Sequence, residues 1–514
     1  MNLKNKCTGG GPRLPSSRDA TFRRIEDLGL LELEMAAIKP QNSAETISIM
    51  EKEKGLARQL STRQITMIAI GGAIGTGLFL GSSLAVRVAG PAVILTYLVG
   101  AFIALLLMGA LAEMAVAHPT AGSFGVYAEV YVSKWAGFVV RYTYWAVQSI
   151  AIGGEAVAAA VYCQFWFPHV PPWLWVIGFS LGLIYVNARS VGNFGEFEYW
   201  FAMIKVVAII LFIVFGIAAI MGLGSAPAIG LKNFTEHGGF FPTGVKGAWA
   251  ALVFVIFSYI GAEVVAVTAG EAKEPQKAVP RAMRSMIGRL IIFYVGAIVI
   301  LIGVVPWNQI QTSTEITASP FVTVFAMMGI KGATHIMNFV VLTAALSSMN
   351  CNLYLGTRMM FSLSRGGYAP AMFGEVSKRG VPLKALLVSA FGLMIATMMA
   401  YLFNNSAYVY MFAVALFGGL LGWLLIFLTH LFFRRKWITS GARLPVTMIR
   451  YPYTSAIGLV LILAILITTW WVEGMAITLI AGLPWLAFIS LMYLLWARRQ
   501  PAAASVKTDQ TESA

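Results

Sequence analysis

The residues of this sequence that could do chemistry lie inside long apolar segments, and the first of them are glycines. Gly71, Gly72, Gly75 and Gly77 fall within one apolar run. Glycine weakens a helix, and the backbone amides that an interrupted helix leaves free can bind a carboxylate. The same glycines also fit the G-x-x-x-G spacing of closely packed membrane helices. The residues alone leave both interpretations open, an unwound anion-binding segment and a packing seam.

A second interruption lies in a later apolar segment, where the sequence reads Ser258-Tyr259-Ile260-Gly261. If the first five and the next five spans are inverted repeats, the two interruptions fall in corresponding helices. Paired interruptions of this kind indicate a substrate site near the middle of the membrane. The correspondence therefore favours functional unwinding over packing alone.

Ionisable side chains within the apolar segments are the next candidates. No aspartate occurs between Asp27 and Asp509. Because an ionisable group at mid-bilayer costs about 2.5–3.5 kcal/mol on insertion scales, each one that is present has a partner or a task. Glu155 and Glu263 are candidates for handling a proton, with a structural hydrogen bond to a neighbouring helix as the equal alternative. Glu113 lies near a helix end, which is more typical of structural anchoring.

Lys205 is the basic residue placed well inside an apolar span. Its long stem would allow the ammonium to snorkel to the lipid headgroups. Alternatively, the ammonium occupies a buried cation position, where it could load and release a proton during a transport cycle. The sequence alone favours neither interpretation.

These residues are carried by a chain whose composition requires lipid as its solvent. Of its 514 residues, 58% are hydrophobic and 11% are charged, whereas a soluble domain carries roughly a quarter charged residues. Apolar runs of about 18–20 residues or more predict twelve transmembrane helices. The predicted spans are 65–88, 92–116, 137–162, 173–190, 197–223, 247–270, 288–305, 333–363, 382–403, 407–432, 454–472 and 475–496.

The basic residues predict the orientation of these helices. Twelve crossings place both termini on one side of the membrane. Of the 37 lysines and arginines, only Arg87, Lys232, Lys246 and Lys331 fall on the opposite side, and Lys205 falls within a span. This is the positive-inside pattern, so we expect both termini to be cytoplasmic. The net charge of +15 is then explained by the basic residues on the cytoplasmic side of the membrane. We therefore expect no nucleic-acid partner.

The chain divides into a membrane domain and two polar ends. Residues 1–55 are predicted to form a disordered cytoplasmic segment, and residues 500–514 a disordered cytoplasmic tail. The membrane domain covers residues 56–499. One interpretation of the long start is that Met50 is the biological first residue. Because the sequence contains neither a P-loop nor histidines at metal-ligand spacing, we expect no ATP-driven pumping, no metal, no cofactor and no enzymatic activity.

Several motifs recur in order along the membrane domain. They lie at 60–63, 71–81, 121–124, 194–206, 268–282, 342–347 and 379–382. Their order and spacing resemble the bacterial amino acid permease family of the amino acid–polyamine–organocation superfamily, over about residues 56–499. Members of that family include permeases for aromatic amino acids, proline, lysine and γ-aminobutyrate.

The resemblance implies an all-α membrane protein with a LeuT-like fold, which is a five-plus-five inverted repeat followed by two further helices. It also implies how the two ends of an amino acid are held. The implied ligands of the carboxylate are the backbone amides of Ile74, Gly75, Thr76 and Gly77. The implied ligands of the amine are the carbonyls of Ser258, Tyr259, Ile260 and Gly261.

The resemblance further implies a proton-coupling site. Lys205 matches the lysine that, in proton-coupled relatives, fills the position of a sodium ion in sodium-coupled ones, and Ser347 is its implied neighbour. Glu263 and Glu271 match two acidic positions of lysine-selective relatives. Because relatives for neutral amino acids also carry acids there, these two residues assign no substrate.

We therefore expect a secondary transporter that imports an amino acid together with protons across the cytoplasmic membrane. Alternating access would occur around the interrupted first and sixth helices. An exchanger of the same fold, which needs no coupled proton, is the nearest alternative. A channel or a transporter-like nutrient sensor is the more distant one. The pattern does not assign which amino acid is carried.

Overall fold

The computed structural model describes residues 51–52, 55–79, 81–223, 228–312, 321, 332–394, 398, 407–441 and 443–499. Within this part of the chain the secondary structure is helical, with no β-strand and one isolated bridge between Leu60 and Ala272. The predicted terminal segments, 1–55 and 500–514, lie outside the described residues apart from positions 51, 52 and 55.

Most of the long helices overlap the predicted apolar spans, whereas Ser123–Tyr131, Trp307–Thr312 and most of Pro275–Leu290 lie outside them. The first half contains α1 (Thr62–Ala73), α2 (Thr76–Phe79), α3 (Gly81–Ala89), α4 (Val93–Ala117), α5 (Ser123–Tyr131), α6 (Lys134–Gln164), α7 (Pro172–Arg189) and α8 (Val191–Met221). The middle contains α9 (Gly244–Ala250), α10 (Leu252–Tyr259), α11 (Val264–Thr268), α12 (Pro275–Leu290), α13 (Gly296–Val304) and α14 (Trp307–Thr312). The last part contains α15 (Ala333–Arg365), α16 (Leu383–Ser389), α17 (Ala407–Ser440), α18 (Tyr453–Thr468) and α19 (Ile477–Arg499).

Eight stretches of the described chain are long and apolar enough to cross a membrane. Two shorter apolar helices, Leu383–Met394 and Tyr453–Thr468, accompany them. Since a helix satisfies all of its own backbone hydrogen bonds, it is the form in which such sequences cross lipid. The chain is therefore a multi-pass helical membrane protein.

Serine residues begin several of the long helices. Ser61 and Gln64 form a capping box at the start of α1. The hydroxyls of Ser133 and Ser190 accept hydrogen bonds from backbone amides in the first turns of α6 and α8, each at 3.1 Å. These side chains satisfy amides that have no partner within the helix. Local sequence thus determines where helices α6 and α8 begin.

The first predicted span is not one continuous helix. Helix α1 ends at Ala73, and Ile74 leaves the helical conformation with φ −87° and ψ 89°. Helix α2 then restarts at Thr76. The glycine-rich segment is therefore interrupted, which is the structural feature that favoured a functional interpretation of the sequence.

The sixth predicted span is interrupted in the same way. Helix α10 ends at Tyr259, and Ile260 is extended with φ −62° and ψ 137°. Gly261 has φ +104°, and a Cβ built on it would lie 2.4 Å from the carbonyl oxygen of Gly72. The two interruptions therefore meet, and only glycine fits at their contact.

Long helices support these interruptions. Helix α6 packs along α15, and α8 packs against both α1 and α15. Side chains that project from α6, α8 and α15 thereby reach the interrupted segments.

A buried ion cluster ties α4 to the second half of the chain. Glu113 accepts hydrogen bonds from His430 Nε2, at 3.0 Å, from the Arg434 guanidinium and from the amide of Met448. The carboxylate is fully buried, so these contacts replace the water that it gives up. Glu113 is thus an anchor between α4, α17 and the segment that precedes α18.

Removal of this charge is expected to destabilise the protein. Glu113→Gln keeps the size of the side chain but leaves the partly buried Arg434 guanidinium without its counter-ion, which is destabilising. We expect a lower melting temperature in detergent than for the wild type. Glu196→Gln is the matched control, because Glu196 is exposed. Equal melting temperatures for the two variants would contradict the anchoring role of Glu113.

Candidate functional site

The Lys205 ammonium is buried at the interruption of the first span. The residue has no exposed surface. Its Nζ donates hydrogen bonds to the carbonyl oxygens of Gly71, at 2.7 Å, and Ile74, at 2.8 Å, and to Ser347 Oγ at 2.7 Å. These three acceptors match the three donors of an ammonium. Lys205 therefore occupies a buried cation position and does not snorkel to the headgroups.

Both carbonyls are available because the helix is interrupted. In a continuous helix, the Gly75 amide would donate to Gly71 and the Leu78 amide to Ile74. Here Gly75 donates to the carbonyl of Ala73 at 3.2 Å, and Leu78 donates to that of Gly75 at 3.3 Å. The ammonium thus takes the place of the missing helical donors.

A second ionisable residue of α8, Glu198, completes this polar cluster. Glu198 lies seven positions before Lys205, which is two helical turns on the same face. Its fully buried carboxylate accepts hydrogen bonds from Ser347 Oγ and, at 3.2 Å, from Asn350 Nδ2. Ser347 therefore joins the ammonium to a carboxylate.

Sequence analysis did not single out Glu198, although it lies within the span 197–223. The seven-residue spacing to Lys205 was the available signal. The approach of α8 to α1 also depends on Gly71, because a Cβ there would lie 2.1 Å from Glu198 Oε1. Gly71 thus allows close helix packing, in addition to lying next to the interruption.

A cavity opens where the two interrupted helices meet. The interrupted segments contribute Gly72, Ala73, Gly75, Gly77, Ser258, Ile260 and Gly261 to its wall. Polar side chains come from Gln148, Glu155, Ser348 and Asn352. Apolar side chains come from Val147, Phe257, Met411, Phe412 and Ala415. The cavity therefore offers backbone groups on one side and a mixed polar and apolar wall on the other.

Glu155 contacts this cavity beside the first interruption. Its Oε1 accepts a hydrogen bond from Ser348 Oγ at 2.8 Å. A Cβ on Gly75 would lie 2.7 Å from Ser348 Oγ and 3.1 Å from Glu155 Oε1. The absence of a side chain at Gly75 thus lets the interrupted backbone reach both polar groups.

The predicted substrate ligands divide into two groups. Gly75, Gly77, Ser258, Ile260 and Gly261 line the cavity. The other three predicted ligands are Ile74, Thr76 and Tyr259, of which Ile74 and Tyr259 are not among its lining residues.

The structure gives two of those three residues other contacts. Ile74 turns its carbonyl toward Lys205. Tyr259 donates its hydroxyl hydrogen bond to the carbonyl of Tyr97 at 2.9 Å. Thr76 begins α2. The cavity wall therefore includes the glycines, Ser258 and Ile260, but not Ile74 or Tyr259.

Two hydroxyl groups hold the interruptions together. Ser258 Oγ donates to the carbonyl of Gly77 at 2.9 Å. The Tyr294 hydroxyl shares its one hydrogen between the carbonyls of Ala73 and Ser258, the latter at 2.8 Å. Tyr294 lies in a π-helical turn, Ile291–Val295, and turns of this kind are frequent at functional sites. Sequence reasoning missed Tyr294, because no local pattern marks a π-helical turn.

Glu263 supports the second interruption from behind. Its carboxylate accepts hydrogen bonds from the Tyr144 hydroxyl at 2.5 Å, the Gly261 amide at 3.0 Å and Trp423 Nε1 at 3.1 Å. It is fully buried and is not among the residues that line the cavity. These contacts hold the shape of the turn, and the predicted proton-handling role of Glu263 stays a prediction.

Glu271 lies apart from the Lys205 cluster. Its Oε1 accepts hydrogen bonds from Arg358 Nη2 at 2.8 Å and Nε at 3.1 Å, and its Oε2 accepts one from the Tyr354 hydroxyl. This buried ion pair joins the end of the sixth span to α15. The predicted coupling role of Glu271 also stays a prediction.

These features define a class of protein, a multi-pass membrane protein with a partly polar cavity between two interrupted helices. Comparison with known proteins identifies the family. The model of the amino acid permease family matches residues 64–505, and the chain belongs to that family.

Relatives of known name cover nearly the whole chain. A γ-aminobutyric acid permease of Bacillus subtilis is 38% identical over 466 residues, which is 90% of this chain and 98% of the relative. A probable threonine/serine transporter of the same organism is 37% identical, over 86% of this chain and 96% of the relative. The aromatic amino acid transport protein AroP of Salmonella typhimurium is 37% identical, over 88% and 97%. The chain is thus an amino acid transport protein and not an enzyme.

The contact between the two interruptions predicts that Gly261 cannot be replaced by a residue with a side chain. Gly261→Ala places a side chain at φ +104° and 2.4 Å from the Gly72 carbonyl. Strain of about 1–3 kcal/mol, together with the displaced backbone, is expected to lower the melting temperature and abolish uptake.

Gly178→Ala in α7 is the control, because a Cβ at that helical glycine meets nothing within 4 Å. Uptake by Gly261→Ala that equals uptake by Gly178→Ala would show that the contact is dispensable.

Proposed function

We propose that this permease imports an amino acid together with protons, and that Lys205 is the residue that carries the coupled proton. The observation on which the proposal rests is the replacement of helical donors by the Lys205 ammonium at Gly71 and Ile74. Protonation of one side chain and the conformation of the interrupted helix are thereby linked.

The link follows from counting donors. An ammonium has three N–H donors, and the three acceptors around Lys205 use all of them. A neutral amine has two, so loss of the proton leaves one acceptor without its partner. A buried acceptor without a partner costs about 1–3 kcal/mol, which is enough to change the relative populations of two conformations. Proton release would therefore loosen the first interruption.

Ser347 and Glu198 provide a place for the proton to go. The Ser347 hydroxyl accepts from Lys205 and donates to Glu198. A proton that leaves the ammonium can pass through this hydroxyl to the carboxylate, with Ser347 losing one hydrogen as it gains another. Glu198 is then the proton acceptor within the cluster.

The substrate would bind between the two interruptions. Its carboxylate would face the amides at the start of α2, where Thr76 and Gly77 have no preceding helical turn to donate to. Its ammonium would face the carbonyls of Tyr259, Ile260 and Gly261. The cavity supports this arrangement because Gly77, Ile260 and Gly261 contribute to its wall.

The larger architecture belongs to the same proposal. We infer twelve crossings with cytoplasmic termini, in two inverted repeats of five and two further helices. The interruptions α1–α2 and α10–α11 would then be equivalent, and alternating access would move the helices around them. Since the relatives are named for γ-aminobutyrate, for threonine and serine, and for aromatic amino acids, they support an amino acid cargo without selecting one.

Proton coupling predicts a pH change inside proteoliposomes. With sodium absent, addition of substrate outside is expected to acidify the lumen, because each amino acid enters with a proton. A pH-sensitive dye trapped in the vesicles measures the change. A strict requirement for sodium would contradict the coupling, and counterflow without any pH change would identify an exchanger.

Lys205→Ala is expected to separate binding from accumulation. Concentrative uptake should be lost, while substrate binding to the purified variant should weaken by less than about tenfold, or ~1.4 kcal/mol. Lys246→Ala is the control, because Lys246 is an exposed cation. Full accumulation by Lys205→Ala would remove the proposed role of this lysine.

A further inference from the structure

One polar side chain of the cavity has an acceptor that no described part of the protein uses. Gln148 lies on α6, contributes to the cavity wall and is 3% exposed. Among the described residues, none donates a hydrogen bond to its Oε1. An unpaired buried carbonyl costs about 1–3 kcal/mol, so a donor that enters the cavity would relieve that cost.

The orientation of the Gln148 amide follows from its other end. The Tyr144 hydroxyl donates to Glu263, so its remaining hydrogen bond is one that it accepts. The Gln148 amide lies beside the Tyr144 hydroxyl, and only the NH₂ of an amide can donate to that oxygen. The chain from Gln148 through Tyr144 to Glu263 therefore leaves the Gln148 oxygen as the free end.

The position of Gln148 separates it from the first interruption, where the substrate carboxylate is proposed to bind. Glu155, which lies beside the Gly75 interruption, is seven residues further along α6. Seven residues are two turns on the same helical face, or about 10 Å. Val147, the neighbour of Gln148 on α6, adds an apolar side chain to the cavity wall. A substrate side chain that extends along α6 away from Gly75 would therefore reach the Gln148 acceptor.

We propose that Gln148 Oε1 accepts a hydrogen bond from the side chain of the transported amino acid. The permease then selects amino acids whose side chain carries a donor, a hydroxyl, an amide or an amine, over apolar side chains of the same shape. Side chains with a carboxylate are disfavoured, because they would face the Gln148 oxygen without a donor. This inference rests on the proposed function, amino acid transport through this cavity.

The expected selectivity is on the order of tenfold for one hydrogen bond, from about 1–1.5 kcal/mol. A site that accepts a hydrogen bond from its substrate rejects an analogue without the donor, because its own buried group is then left unpaired. Threonine and valine are a matched pair of this kind, as are tyrosine and phenylalanine. Glutamine and methionine form a third pair of similar length.

The test is competition between each member of these pairs and one radiolabelled amino acid, for uptake into proteoliposomes that contain the full-length protein. In the wild type, the donor-bearing member of the pair that competes best should be on the order of tenfold stronger than its partner. Gln148→Met keeps the length of the side chain and removes the acceptor, so it should abolish this preference while uptake continues. Gln164→Met, near the end of the same helix and outside the cavity wall, should keep it.

Several outcomes would overturn the inference. Equal competition by both members of every pair in the wild type would do so, and this comparison needs no variant to fold. A preference that survives Gln148→Met would also do so. An equal loss for both members would assign Gln148 to the main chain of the substrate instead. Absence of amino acid uptake by the wild type would overturn the proposed function itself, whereas uptake without discrimination contradicts only the role of Gln148.

Discussion

The structure depends on one constraint, that a helix interrupted inside a membrane must find new partners for the backbone groups it releases. The Lys205 ammonium supplies those partners at Gly71 and Ile74. Its charge is in turn compensated by Glu198, which is reached through Ser347. The small residue at position 71 and the long helices α8 and α15 follow from this arrangement, because they bring the two charges to the interruption.

The two interruptions behave as one unit for a similar reason. Ser258 and Tyr294 connect the carbonyls of one interrupted segment to those of the other, and Gly261 allows the backbones to touch. These contacts therefore connect the backbones of the two interruptions directly, beside the cavity that lies between them.

The sequence predicted the features that are local and missed those that depend on distant partners. The spans are visible in the sequence as long apolar runs. The glycines between 71 and 77 and the break near Gly261 are visible as interruptions of those runs. Whether Lys205 snorkels or is buried was undecided, because the answer lies in Ser347, which is 142 positions away. Tyr294 and Glu198 were missed for the same reason, since their roles are set by carbonyls and hydroxyls on other helices. The family resemblance identified Lys205 and Ser347 as candidate residues, but it did not identify Glu198.

The central claim is that the Lys205 ammonium holds the interrupted first helix in place. Hydrogen–deuterium exchange of the purified protein tests it most directly, with Lys205→Met as a variant that keeps the side-chain length but has no donor. The account predicts faster exchange at the backbone amides of residues 74–79 in the variant, and unchanged exchange in α7. Identical exchange at residues 74–79 in the wild type and the variant would contradict it.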